Sequence, residues 1–198
     1  VDTELYNGTA WTEVNNLNSG RGLAVGAGTV NTAALLTSGR TASQAVYNET
    51  EIWNGTSWTE VNNLNTARYY SSGDGTSTAA ILAGGEPGSG ATADTETWNG
   101  TSWTEVNNLN TARAELTSMG TSAAAIAATG TTATAATVNA ETWNGTSWTE
   151  VNNVNTARTL LAGSGTSTSA IIFGGNPALA ITEAWDGTSW TEVADLAV

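Results

Sequence analysis

Few residues in this chain have types that do chemistry, and they are unevenly distributed. Eighteen acids stand against five arginines, and there is no lysine, histidine or cysteine. Without cysteine there is no thiolate nucleophile, no disulfide and no thiolate metal site; without histidine there is no imidazole base or ligand. A formal charge of −13 repels a phosphate backbone, so nucleic acid is not an expected partner. Four arginines, Arg21, Arg68, Arg113 and Arg158, recur at one place in a repeating pattern, and Glu51, Glu96, Glu141 and Glu183 recur as regularly. They could form a ring that binds an anion or carboxylate, or each Arg could pair with its own Glu. Pairing is the plainer expectation. A residue present in every unit belongs to the template, whereas a functional residue should break the symmetry.

Catalytic pairs fare no better. Two carboxylates can hydrolyse a glycosidic bond, yet the ten glutamates flanking tryptophans all belong to the repeat. Asp74, Glu86 and Asp94 are hard-cation ligands by type, but no calcium-loop spacing joins them. The sequence therefore predicts a non-enzymatic protein with no catalytic residue, metal site or cofactor.

These residues must be positioned by a repeat. Residues 98–113 read W-N-G-T-S-W-T-E-V-N-N-L-N-T-A-R, recurring nearly unchanged at 53–68 and 143–158, loosely at 6–21 and truncated at 185–196. The second tryptophan of each copy is Trp11, Trp58, Trp103, Trp148 or Trp190, at spacings of 47, 45, 45 and 42. A period in the forties marks a repeat architecture. Within the unit at 66–110, 78–83 (T-A-A-I-L-A) is an apolar run of strand length that stops at Gly84-Gly85. Residues 95–98 and 103–106 flank Asn99-Gly100, a strong hairpin signal because both residues suit tight turns with positive φ. With a polar-aromatic segment at 68–73 and a turn at 73–75, this makes four short strands, a to d, and no helical periodicity. The other b-strands fall at 32–37, 123–128 and 169–173, and the a-strands at 22–25, 69–72, 114–118 and 159–162. The chain reads as one all-β repeat domain, 1–198, with a half unit at 1–18 and four full units at 19–65, 66–110, 111–155 and 156–198. No apolar run reaches the 18 residues of a spanning helix, so membrane insertion is not expected. The sequence opens on Val1 with no signal-type segment, which reads as a processed chain or part of a longer one.

This order of residues resembles the kelch-repeat β-propeller family. Its units run from an Arg through an apolar strand to Gly-Gly, an aromatic, a Trp, two spaced apolar residues and the next Arg. Here those are Arg68, Ile81-Leu82, Gly84-Gly85, Trp98, Trp103, Val106, Leu109 and Arg113. The likeness spans essentially the whole chain, with Asn65, Asn110 and Asn155 where the family commonly has Pro. It implies four-stranded antiparallel blades around a channel, with Trp11, Trp58, Trp103, Trp148, Trp190, Arg21, Arg68, Arg113 and Arg158 as structural residues between blades. Four and a half units leave three arrangements open: a small ring with an incomplete blade, an arc of a larger ring, or completion by a second copy. The copper chemistry of kelch-like galactose oxidases requires His and Cys, which this chain lacks.

Near-identical repeats rich in Asn, Thr and Gly resemble repeat proteins of environmental phage and bacterial surfaces. The resemblance implies an extracellular or virion-surface structural or adhesive module, with other subunits of an assembly and a surface glycan or protein as partners. The alternatives are a polysaccharide hydrolase or lyase, and a pure assembly scaffold. The b–c loops at 40–50, 86–95, 131–140 and 176–182 differ in every unit, so the candidate binding residues are Arg40, Tyr47, Tyr69, Tyr70, Asp94, Glu115 and Asn176.

Overall fold

The computed structural model describes residues 2–177 and 179–197, and all its regular elements are strands. A hairpin, β1 (Thr3–Tyr6) and β2 (Trp11–Val14), comes first. Four four-stranded antiparallel sheets follow in chain order. The first is β3 (Val25–Val30), β4 (Ala33–Thr37), β5 (Thr50–Trp53) and β6 (Trp58–Val61). The second is β7 (Ser72–Gly75), β8 (Ala80–Ala83), β9 (Thr95–Trp98) and β10 (Trp103–Glu105). The third is β11 (Thr117–Gly120), β12 (Ala125–Ala128), β13 (Ala140–Trp143) and β14 (Trp148–Val151). The fourth is β15 (Ala162–Thr166), β16 (Ser169–Phe173), β17 (Thr182–Trp185) and β18 (Trp190–Val193). β1–β2 thus corresponds to the outer two strands of a sheet whose inner two are absent from these residues. The innermost strands β3, β7, β11 and β15 contact one another in series.

The outer hairpins form because Asn54, Asn99 and Asn144, with Asp186 in the fourth sheet, each accept two backbone N–H bonds within their own turn at 2.8–2.9 Å. The following glycines have φ near 90°, which a side chain disfavours. The two aromatics flanking each turn then pair across the strands, with ring centroids 5.2–5.5 Å apart.

The expected a-strands are misplaced by about one turn. The Gly73-Asp74-Gly75 segment is not a turn but strand β7, and the turn lies at 76–79. Residues 69, 114 and 159 instead form single bridges to Glu86, Thr131 and Asn176. Glycine disfavours strands, but tertiary packing overrides that here. A Cβ on Gly73 would meet Ile81 O at 2.4 Å and Val25 Cγ1 of the neighbouring sheet at 3.1 Å, so only a bare backbone fits beside the inner strand.

The core is three apolar layers, each between consecutive sheets. Between the first and second lie Ala27, Leu35, Leu64, Ala80, Leu82, Trp98 and Trp103. Between the second and third lie Ile81, Leu109, Leu116, Ala125, Ala127, Trp143 and Trp148. Between the third and fourth lie Met119, Ile126, Val154, Ile172, Trp185 and Trp190. Burying an indole of about 200 Å² at about 25 cal/mol per Å² contributes roughly 5 kcal/mol, so paired tryptophans support a core thin in aliphatic side chains.

Candidate functional site

The two ends of the sheets differ in kind. At one end the indole N–H groups of Trp53, Trp98, Trp143 and Trp185 donate to the carbonyls of Asn31, Ser77, Ser122 and Ser167 at 2.9–3.0 Å. These bonds tie each a–b turn to its c–d turn, so both kinds of turn share one end. The d-strand indoles reach the preceding unit: Trp58 to Thr3 Oγ1, Trp103 to Thr50 Oγ1 and Trp148 to Thr95 Oγ1, at 2.9–3.2 Å. Trp190 has Ala140 at the corresponding place, and its Nε1 is buried without a partner. Trp11 lies on the first hairpin, stacked on Tyr6 and 65% exposed.

The recurring arginines pair with the recurring glutamates: Arg21 with Glu51, Arg68 with Glu96, Arg113 with Glu141 and Arg158 with Glu183, at 2.9–3.2 Å. Arg21 also reaches Glu49 at 3.2 Å. The second oxygen of each glutamate accepts from the backbone and side-chain N–H groups of Asn18, Asn65, Asn110 or Asn155 at 2.7–2.9 Å. Burial pulls the Arg68 and Arg113 guanidinium groups below the usual arginine range, and the glutamates oppose that shift. Arg68 Nη1 lies 2.9 Å from Glu96 Oε1 but without hydrogen-bond alignment, so this contact is an ion pair by distance alone.

At the opposite end, single β-bridges Gly22–Arg40, Tyr69–Glu86, Ala114–Thr131 and Thr159–Asn176 fasten each a-strand's approach to the start of its b–c loop. The residue after each bridge is left-handed: Leu23, Tyr70, Glu115 and Leu160 have φ of 57°, 55°, 57° and 53°. For a residue other than glycine this costs on the order of 1 kcal/mol. The cost recurs in every full unit, so the backbone is template while the side chain changes. Backbone bonds run along these positions, Glu115 N to Tyr70 O at 2.8 Å and Leu160 N to Glu115 O at 3.0 Å.

These four residues and their successors, in the segments that lead into β3, β7, β11 and β15, line one cavity of about 270 Å³. Its polar lining residues are Tyr70, Glu115 and Ser71, and the Ser71 Oγ is buried without a hydrogen-bond partner. Leu23 and Leu160 are half exposed at its rim, with Leu116 and Leu161 completing the wall. Beside it, the Arg40 guanidinium carbon sits 4.3 Å from the Tyr69 ring centre and 5.6 Å from that of Tyr70. The two tyrosine rings are 4.9 Å apart. This cation–π stack joins the first unit to the second and fixes the Tyr70 ring. Burial pushes the Tyr69 phenol above the usual tyrosine value and Glu86 adds to that, with Arg40 pulling the other way.

The structure thus gathers Arg40, Tyr69, Tyr70 and Glu115. The other candidates lie elsewhere. Tyr47 uses its backbone to hold Gly39 and Arg68. Asp94 accepts from Asn108 at 3.3 Å, and Asn176 is exposed on the fourth loop. Leu23, Leu160 and Ser71 were missed, although aligning the units at position 70 would have exposed the first two. Asp74, Glu86 and Asp94 do not converge: Asp74 accepts from Gly75 and Gly120 N–H, and no three acids gather among the described residues. Glu115 is the one carboxylate among the residues lining the cavity. Such a site can stack a ring on Tyr70 and accept hydrogen bonds from hydroxyl groups at Glu115. No family model matches this chain, and no curated protein does.

Proposed function

We propose that this chain is a kelch-like β-propeller module that binds a surface glycan, without catalysis, at its axial cavity. The carrying observation is the set Leu23, Tyr70, Glu115 and Leu160: one backbone conformation, four places, three different side-chain types around one cavity. Invariance elsewhere marks scaffold, and departure at convergent positions marks recognition. The propeller reading is supported by inner strands in series and by a cavity common to all four full units. An aromatic face beside a carboxylate suits a terminal sugar, which presents a stackable apolar face ringed by hydroxyls.

The rim supports a second reading, that an apolar loop of a surface protein enters the cavity, because Leu23 and Leu160 are 42% and 52% exposed. A hydrolase would need a second carboxylate across the substrate from Glu115. Display on a virion, fibre or cell surface within a larger assembly belongs to the same proposal and rests on the sequence resemblance.

A glycan array probed with the wild type and with Tyr70→Ala and Glu115→Ala tests the reading. Binding that falls at least about tenfold in both variants, about 1.4 kcal/mol, is expected. No glycan bound, or binding indifferent to both changes, would refute it. Binding to a surface protein abolished by Leu160→Asp would select the second reading.

A further inference from the structure

Four turns at the recurring end carry Asn followed by Gly: Asn7-Gly8, Asn54-Gly55, Asn99-Gly100 and Asn144-Gly145. Each of these asparagines is exposed, and its carboxamide folds back over its own turn. The Asn99 Oδ1 accepts from the N–H groups of Thr101 and Ser102, both at 2.9 Å. The other three repeat this at 2.9–3.0 Å, with donors at Thr9 and Ala10, Thr56 and Ser57, and Thr146 and Ser147. Among the described residues, no hydrogen bond engages the N–H of Gly8, Gly55, Gly100 or Gly145, nor the amide nitrogen of the asparagine before it. Other template asparagines differ. Asn62, Asn107 and Asn152 donate their amides to carbonyls of the next unit, and Asn65, Asn110 and Asn155 donate theirs to the buried glutamates. None of these six precedes a glycine.

The backbone nitrogen after an asparagine lies within ring-closing reach of the side-chain Cγ, and a glycine there leaves the approach unshielded. Attack forms a Gly N–Cγ bond and places negative charge on Oδ1. Two N–H groups already directed at that oxygen stabilise the charge as an oxyanion hole does. The Cγ–Nδ2 bond then breaks and ammonia leaves, with solvent water carrying the proton from the glycine nitrogen to the departing amide. Water opens the resulting succinimide at Cγ to give aspartate on an unaltered backbone.

The fourth sheet already holds such a product. Asp186 stands at this place before Gly187, and its Oδ1 accepts from the Thr188 and Ser189 N–H groups at 2.8 Å. Trp185 and Trp190 still pair across that turn at 5.3 Å, as Trp98 and Trp103 do across theirs at 5.5 Å. The Ser189 and Thr188 N–H groups also hold the Asp186 carboxyl below its ordinary value, so a carboxylate here is ionised at neutral pH.

We propose that Asn7, Asn54, Asn99 and Asn144 are self-modification sites, which deamidate in the folded chain to aspartates that keep the turn. Four conversions take the formal charge of −13 four units lower, all of it at the recurring end. The cavity at the opposite end is lined by none of these residues. Opening of the succinimide at its other carbonyl would give isoaspartate, which adds a methylene to the backbone. Bonds from the Asn54, Asn99 and Asn144 N–H groups to the Ser57, Ser102 and Ser147 carbonyls, each at 3.3 Å, close these turns and oppose that longer path.

Cleavage after Arg21, Arg40, Arg68, Arg113 and Arg158 puts each turn in a separate peptide, so mass spectrometry reads conversion of amide to acid site by site. In mildly alkaline buffer, acid should accumulate at the four Asn-Gly sites of the folded chain at least as fast as in the same chain unfolded in urea. Asn62, Asn107 and Asn152 should remain amides. Gly100→Ala should slow conversion at Asn99 at least about tenfold. Because that change also strains a turn with φ of 92° at Gly100, Asp186→Asn supplies a second variant, which should regain acid at position 186. Asn99→Asp should match the wild type in Tm. Slower conversion at all four sites in the folded chain than in urea would overturn the proposal. So would an Asp186→Asn chain that stays amide, or a Tm lowered by Asn99→Asp.

Discussion

The boundary between the second and third sheets and that between the first hairpin and the first sheet use the same polar contacts but differ in burial. In the interior, Trp148 donates to Thr95 at 3.1 Å, and Ile81, Ala83, Ala125, Ala127, Trp143 and Trp148 are all at most 5% exposed. At the outer boundary Trp58 donates to Thr3 at 3.2 Å and Asn18 holds Glu51 at 2.8 Å, yet Trp58, Ala34 and Leu36 stay half-buried. Directional bonds form at either boundary and set the register. Apolar burial is complete only where both neighbours are four-stranded, so burial supplies most of the stabilisation and the polar clasps supply alignment.

Substitution at equivalent positions breaks this comparison most sharply. Trp148→Ala should cost about 3–5 kcal/mol in denaturant unfolding, whereas Trp58→Ala, at the half-buried outer boundary, should cost about 1–2 kcal/mol. Equal losses would mean that burial does not separate the two boundaries. Next, Glu141→Gln leaves Arg113 charged and buried and should cost about 3 kcal/mol. Glu49→Gln touches a side chain 26% exposed, and Arg21 keeps Glu51, so it should cost well under about 1 kcal/mol.

Two smaller changes sharpen it. Ala140→Thr restores the hydroxyl that Trp190 lacks and should stabilise by about 1 kcal/mol, read as a rise in Tm. Asp186 replaces the turn asparagine of the other units, and the N–H groups of Ser189 and Thr188 hold its carboxyl below the usual value of 3.8. A depressed folded pKa contributes stability above the unfolded pKa that is lost as pH falls through the folded one. Acid titration of Tm should therefore show an added loss below pH about 4 in the wild type that is absent in Asp186→Asn, with the two proteins matching at pH 7.

The outer hairpins were legible because Asn-Gly turns between aromatics dictate their own geometry, and the expected strand at 95–98 is β9 itself. The inner strands were not. Their Gly and Ser content opposes strand formation locally, and only contact between neighbouring inner strands, as at Gly73 and Val25, makes small residues necessary. The site was half legible. Tyr70 and Glu115 stood out as departures from the repeat, but Leu23 and Leu160 look like ordinary apolar residues until four units place them around one cavity. Tyr47 and Asp94 also depart from the repeat, and their loops carry them away from that cavity.

The most direct test measures glycan affinity and Tm together in the same variants. Tyr70→Ala and Glu115→Ala should lose at least about tenfold in affinity with Tm unchanged, while Thr101→Ala, on the recurring end, should bind as the wild type does. Full affinity in Tyr70→Ala with loss in Thr101→Ala would contradict the account.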